Sequence, residues 1–123
     1  MRIAITADGS TLYARVDPRF GRCGYFIIAD PETLEFEALE NSSAVAAGGA
    51  GISAAQVVAS KKVAAVLTGN CGPNAYQVLS AAGIEVFTGV SGKVREAIQD
   101  YKSGKFKVSS QPNVATHFGI SSK

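Results

Sequence analysis

Short apolar runs are separated by turns along the first third of the chain. Residues 3–5 and Tyr25–Ala29 are each long enough only for a buried strand. A turn over residues 30–33 follows, and apolar and acidic residues then alternate over residues 34–39. This alternation predicts an edge strand that pairs antiparallel with the second strand and turns its acidic side chains toward water.

The rest of the chain follows a repeating order of helix and strand. After a loop of small residues over positions 41–50, apolar residues at helical spacing predict helices over residues 51–59, over residues 73–82 and after Gly92. Between them, residues 63–67 and 84–87 are apolar runs typical of parallel strands that are covered on both faces. Gly83 and Gly104 are predicted to end the second and third helices.

This order of elements predicts an α/β fold with a mixed five-stranded sheet. Right-handed connections give the strand order 3-2-1-4-5, with strand 2 antiparallel. Such a sheet binds ligands at the carboxyl ends of its parallel strands, where the connections diverge, here between strands 1 and 4. Residues 1–106 form one predicted domain. Residues 107–123, which contain the sole histidine, His117, are expected to be a flexible tail in which a catalytic role for that histidine is not expected.

Composition narrows the classes of function. With 123 residues, 46% of them hydrophobic, the chain can bury a core as one globular domain. A net charge of +2 is too small to indicate general nucleic-acid binding. No apolar run approaches the roughly 20 residues that span a membrane, and the first residues resemble a strand more than a signal peptide. We therefore expect a cytoplasmic protein with no membrane or nucleic-acid partner.

Glycines and basic residues are concentrated in the loops at the predicted ligand-binding edge. Backbone N–H groups at the start of a helix, together with the helix dipole, favour an anion there. Glycine turns precede the second and third helices, and residues 48–51 form another. The candidate anion-binding residues are Arg15, Arg19, Phe20, Gly21, Arg22, Asn70, Gly72, Asn74 and Gly92. The competing interpretation is that the glycines only form turns and that the arginines pair with Asp17 or Asp8.

Cys23 and Cys71 fall in the same two loops and allow two interpretations. As thiolates they could bind a soft metal, with their pKa lowered by nearby arginines and helix N-termini. As neutral thiols they would be ordinary small core residues. Asp8 is the sole carboxylate well placed at a strand end, and metal-assisted hydrolysis requires more acids than that. This argues against a nuclease.

Five segments in order give the chain a specific resemblance. They are residues 19–22 followed by Phe26, and residues 51–55, 69–75, 82–84 and 92–98. Over residues 1–106 the chain resembles the dinitrogenase iron-molybdenum cofactor biosynthesis family. That resemblance implies a three-layer α/β/α fold of the ribonuclease-H-like type and a role in carrying or assembling molybdenum and iron-sulfur clusters.

Two positions place the chain within one branch of that family. Arg19 stands where many members have histidine, which can bind a metal directly whereas arginine cannot, and Cys71 stands at a position that is often aliphatic. At both positions the chain resembles a branch of the family that is associated with a molybdenum-copper sulfide cluster. The resemblance implies a non-enzymatic carrier of such a cluster, or of an iron-molybdenum-sulfur cluster or its precursor, with a protein acceptor.

In that implied site, Arg19 and Arg22 balance the charge of the cluster. Backbone N–H groups near Gly72, Asn74 and Gly92 donate to its sulfides, and Cys23 or Cys71 contacts copper. The alternative is a metal-free regulatory or interaction module that binds a protein partner or a small oxyanion.

Overall fold

A computed structural model describes residues 1–42 and 50–109 of the chain. The strands are β1 (Ile3–Ala7), β2 (Tyr25–Ala29), β3 (Phe36–Glu40), β4 (Ala65–Leu67) and β5 (Glu85–Phe87). The helices are α1 (Ala50–Ser60), α2 (Pro73–Ala81) and α3 (Val94–Lys102).

The strands form one sheet in the order β3-β2-β1-β4-β5, which confirms the predicted topology. β2 is antiparallel to both β1 and β3, whereas β1, β4 and β5 are mutually parallel. In the centre of the sheet, Ile5 of β1 lies opposite Leu67 of β4 and Ile27 of β2. The carboxyl ends of β1 and β4 therefore lie side by side, which is where the connections diverge.

Helices cover both faces of the sheet, so the fold has three layers. One core cluster joins α1 and α2 to Phe26 and Ile28. The other joins α3 to Ile27 and its neighbours. Successive residues of β2 thus face opposite layers, as the pleat of a strand requires. All of β1 is buried because both faces are covered.

The edge strand starts later than the sequence predicts. Leu34 adopts a left-handed backbone conformation with φ of 64°, and its N–H donates to the carbonyl of Asp30 at 2.8 Å. The turn after β2 therefore includes Leu34, and β3 begins at Phe36, opposite Ala29. Helix ends match the predicted glycines, since Gly83 and Gly104 both have positive φ.

The chain continues to contact the fold after α3. The ring of Phe106 lies 6.4 Å from that of Phe87, and the Ser109 N–H donates to the carbonyl of Val86 at 2.8 Å. The Tyr76 hydroxyl donates to the Ser109 carbonyl at 3.0 Å. Of the residues expected in the tail, Ser109 thus bonds to β5 and α2, whereas residues 110–123, including His117, lie outside the described residues. In the described part of the chain, no helix has both the length and the apolar character needed to cross a membrane.

Candidate functional site

Two buried threonines fix the loop that follows β1. The Thr6 hydroxyl lies 2.7 Å from the Asp17 carbonyl and 2.9 Å from the Thr68 hydroxyl. A hydroxyl has one hydrogen to donate, so Thr6 donates to Asp17 and Thr68 donates to Thr6. The Asp17 N–H returns a bond to the Thr6 carbonyl at 2.9 Å. Asp17 is thereby held above the adjacent ends of β1 and β4.

Asp17 in turn orients Arg19. The Asp17 carboxylate is 8% exposed and accepts from the Arg19 backbone N–H at 3.0 Å, from Nε at 3.3 Å and from Nη2 at 3.4 Å. This hydrogen bonding, with the attraction of the carboxylate, raises the pKa of Arg19. The Arg19 side chain is 65% exposed. Asp17 engages two of the five guanidinium N–H groups, so the others face a ligand or solvent.

Asn70 joins this loop to the one that follows β4. Its backbone N–H and its side-chain amide donate to the Pro18 carbonyl at 2.7 and 3.2 Å, and its own carbonyl accepts from the Phe20 N–H at 3.2 Å. Gly69 lies so close that an added Cβ would be 2.7 Å from the Pro18 Cα. The two loops that carry the predicted site residues are therefore in direct contact.

Gly21 brings the same loop against the start of α1. A Cβ at Gly21 would lie 2.9 Å from both the Cα and the N of Gly51, so only glycine fits without displacing backbone. The Asn41 side-chain amide holds the turn by donating to the carbonyls of Gly21 at 3.1 Å and Cys23 at 2.9 Å. The loop is thus fixed between the starts of α1 and α2.

A cavity of about 210 Å³ opens between these three segments. Its lining consists of Phe20, Gly21, Gly51, Ile52, Asn70, Gly72, Pro73, Asn74 and Ala75. A water molecule takes up about 30 Å³ of the liquid, so a ligand of several heavy atoms fits. None of these lining residues is acidic.

The first turn of α2 presents hydrogen-bond donors at this cavity. Gly72 is the N-cap residue, with φ of −73° and ψ of 173°, and no side chain caps the helix. Pro73 has no N–H, and the N–H groups of Asn74 and Ala75 lie in the first turn, where an α-helix provides no carbonyl partner. Gly51 occupies the corresponding turn of α1. The donors at the start of α2 and the dipole of that helix favour an anionic ligand.

Several predicted site residues meet at this cavity, and others do not. Those that line it are Phe20, Gly21, Asn70, Gly72 and Asn74. Arg19 precedes Phe20 and Arg22 follows Gly21 in the chain, and both arginines are exposed. Ile52 and Ala75 also line the cavity. Sequence reasoning missed them, because apolar side chains at helical spacing indicate only that a helix packs on the core. Of the predicted glycine turn at residues 48–51, positions 48 and 49 lie outside the described residues.

Two of the first N–H groups of α3 bond to the loop after β1, so they are not available as the donors expected near Gly92. The N–H groups of Val94 and Arg95 donate to the carbonyls of Ala14 and Leu12 at 2.8 and 2.9 Å. The Gly92 carbonyl accepts from the Val16 N–H at 2.8 Å, and Arg15 forms a bridge with Lys93. Arg15 and Gly92 therefore bind the first loop to α3 and do not line the cavity.

Both cysteines lie in the core that α1 and α2 share. Each is completely buried, and burial raises the pKa of Cys23 and of Cys71 to about 12. Of the two interpretations, this agrees with neutral thiols in the core, because loss of hydration is the main cause at both residues and the Asp17 charge adds to it at Cys23. Within residues 1–42 and 50–109, no three histidine, cysteine or acidic residues come together as a metal site.

Comparison with known proteins places the chain in a family. Residues 1–104 match the family model described as dinitrogenase iron-molybdenum cofactor. An uncharacterized protein of Methanocaldococcus jannaschii is 33% identical over 110 residues, which cover 87% of this chain and 90% of that protein.

Solved structures share the architecture at higher identity. The apo form of the orange protein from Desulfovibrio gigas superposes with a TM-score of 0.89 at 43% identity, covering 92% of this chain and 96% of that one. A Thermotoga protein of the DUF35 family gives a TM-score of 0.75 at 38% identity, covering 87% and 91%. The fold and much of the sequence are thus common to all three chains.

Proposed function

The chain belongs to the dinitrogenase iron-molybdenum cofactor family, and on that premise we propose that it is a non-enzymatic carrier of an anionic molybdenum-sulfide cluster. The family and its structural relatives indicate a protein concerned with a metal cofactor. Our first choice of cargo is a molybdenum-copper sulfide cluster, because the chain is 43% identical to the orange protein and its Arg19 and Cys71 resemble the branch associated with such a cluster. An iron-molybdenum-sulfur cluster or precursor is the alternative cargo, and we place the protein in the cytoplasm.

The observation that carries this proposal is the character of the cavity lining. Donor groups from the start of α2 lie there, and the lining contains no carboxylate that would repel an anion. Sulfides on a cluster accept hydrogen bonds from N–H groups such as those of Asn74 and Ala75. Arg19 and Arg22, on either side of Phe20 and Gly21, supply positive charge at the mouth of the cavity.

The donor set fits a preassembled cluster better than a bare metal ion. A bare soft metal needs thiolate or imidazole ligands, whereas Cys23 and Cys71 are buried and hold their protons to a pKa of about 12. An anionic cluster needs only hydrogen-bond donors and positive charge. We therefore propose that hydrogen bonding and charge hold the cargo, and that a copper contact from either thiol would require the core to open.

Metal analysis of the native protein tests this function. The protein is purified without oxygen, its visible spectrum is recorded, and molybdenum, copper and iron are quantified per chain. We expect a visible band with molybdenum and copper, whereas molybdenum with iron would select the alternative cargo. The apoprotein is then titrated with tetrathiomolybdate, with and without cuprous ion. A colourless, metal-free protein that does not bind tetrathiomolybdate, with or without cuprous ion, would contradict the proposal.

The second candidate is a metal-free module that binds a small oxyanion. The same N–H groups at the start of α2 would donate to the oxygens of phosphate or molybdate. Competition distinguishes the two functions. If phosphate displaces tetrathiomolybdate at comparable concentrations, the cavity is a general oxyanion site, whereas a preference for the sulfide of at least tenfold supports the cluster carrier.

A further inference from the structure

Tyr13 is an exposed aromatic residue on the loop between β1 and the cavity. Its side chain is 67% exposed, although tyrosine has a large apolar surface to bury. The Arg95 guanidinium lies beside it, with Nη1 3.5 Å from the phenol oxygen. One exposed aromatic residue would be unremarkable by itself. Two further observations, on the loop and on its charges, distinguish this one.

The loop holds Tyr13 in a fixed position. On its two sides, the carbonyls of Leu12 and Ala14 accept from the first N–H groups of α3 at 2.9 and 2.8 Å. The Tyr13 N–H donates to the Thr11 hydroxyl at 3.2 Å. Asp8 closes the loop, because its N–H donates to the Arg15 carbonyl at 3.0 Å and its carboxylate accepts from the Arg15 N–H at 2.9 Å. A partner that bound here would pay little entropy to order this backbone.

Three basic residues lie on this loop and at the start of α3. Arg15 and Lys93 lie together through a backbone bridge, and Arg95 contacts the phenol. All three side chains belong to exposed residues. The carboxylates on this surface are Asp8, which is engaged by the Arg15 backbone, and Glu96. Tyrosine and arginine are the residues most enriched where protein interfaces bind tightly.

We propose that Tyr13, Arg15, Lys93 and Arg95 form a docking surface for an acidic face of a second protein, the one that delivers the cargo or receives it. This inference rests on the proposed carrier function. The same loop continues from Arg15 through Asp17 and Arg19 to Phe20, which lines the cavity, so one loop joins the docking surface to the cavity at the same edge of the sheet. The exposed cations would attract an acidic surface and set the orientation of the complex.

The experiment begins with a photo-crosslinking amino acid in place of Tyr13 in the full chain, expressed in the source cells. The matched control carries the same group at Val57, which is 43% exposed on α1. We expect one acidic protein to be crosslinked from position 13 and not from position 57. That protein is identified, purified and titrated with the unmodified chain and with variants. No adduct above the Val57 control would overturn the proposal.

Affinity measurements then decide whether the surface itself binds. Tyr13→Ala and Arg95→Glu are each expected to weaken binding of the purified partner about tenfold or more, as at interface hot spots. Lys107→Glu reverses an exposed charge outside the docking surface and should leave the affinity for the partner unchanged. Equal affinity for all variants would overturn the proposal. So would adducts formed only with a second copy of this chain, with nucleic acid or with anionic lipid.

Tetrathiomolybdate binding separates this inference from the carrier function. Neither Tyr13 nor Arg95 lines the cavity, so both variants should take up tetrathiomolybdate like the unmodified chain. Lost docking with retained uptake supports a separate docking surface. If the unmodified chain itself does not take up the anion, the carrier function fails. The crosslinking result then still decides whether the surface docks a protein.

Discussion

The buried Asp17 carboxylate holds the exposed Arg19 guanidinium at two points, through Nε at 3.3 Å and Nη2 at 3.4 Å. The paired interpretation and the anion-binding interpretation of Arg19 are therefore compatible. Asp17 fixes one edge of the planar group, and the side chain stays exposed beside Phe20, which lines the cavity. Thr6 and Thr68 fix Asp17 from below.

Arg19→Ala should weaken anion binding more than it destabilises the fold. A hydrogen bond to a charged group is worth about 1.5–3 kcal/mol, so the Kd for tetrathiomolybdate should rise roughly tenfold to a hundredfold. Because the Arg19 side chain is 65% exposed, loss of the ion pair itself should lower the free energy of unfolding by less than about 1 kcal/mol. Titration of the apoprotein measures the first effect, and urea denaturation the second. Lys107→Ala is the control, and an equal Kd for both variants would remove Arg19 from the site.

Gly21→Ala tests the contact between the loop and α1. The new Cβ would lie 2.9 Å from the Gly51 backbone, so we expect a loss of about 1–3 kcal/mol in the free energy of unfolding, with weaker anion binding. Gly24→Ala is the matched control in the same loop, because its Cβ would meet nothing closer than the Ala7 carbonyl at 3.8 Å. Its stability should stay the same or rise by about 0.4–1 kcal/mol. Equal effects of the two substitutions in thermal and urea unfolding would show that the loop does not pack on α1.

The raised pKa of the thiols predicts a loss of stability in alkali. An ordinary cysteine has a pKa of 9.0, whereas Cys71 in the fold has a pKa of about 12. Between these values the unfolded chain releases a proton that the folded chain keeps, so the free energy of unfolding falls by up to about 1.4 kcal/mol per pH unit for each thiol. Urea denaturation at pH 8.5 and 10 measures the slope, which Cys71→Ala should make shallower. Identical slopes for Cys71→Ala and the unmodified chain would indicate that the Cys71 thiol is accessible and would favour a ligand role for it.

Much of the fold could be predicted because its signals are local. The apolar runs that became β2, β4 and β5, and the glycines that end α2 and α3, each reflect the conformation of a few neighbouring residues. The strand order then follows from the handedness of the connections. The start of β3 could not be predicted, because the left-handed conformation of Leu34 depends on a bond to the Asp30 carbonyl.

The candidate site was predicted less well because its details depend on distant contacts. The glycine turn before α3 looks like an anion site in sequence, but the carbonyls of Leu12 and Ala14 take its donors from another part of the chain. The depth of burial that raises the thiol pKa values is likewise a property of the assembled core. Gly72 and Asn74 were found because the Pro at the first position of α2 marks the helix start locally.

Gly72→Asp places a negative charge on the donors at the start of α2, which we propose bind the anionic cargo. An added Cβ meets nothing within 4 Å, and the backbone conformation suits any residue. An aspartate at this N-cap position would accept hydrogen bonds from the N–H groups of the first turn. It would raise helix stability by about 0.3 kcal/mol. Its charge would also repel an anion.

We would therefore measure the Kd for tetrathiomolybdate of Gly72→Asp and of Gly72→Ala, which adds the Cβ without the charge. We expect Gly72→Asp to keep or slightly raise its unfolding temperature and to bind tetrathiomolybdate at least tenfold more weakly than Gly72→Ala. Equal affinity in two folded variants would contradict an anion site at the start of α2.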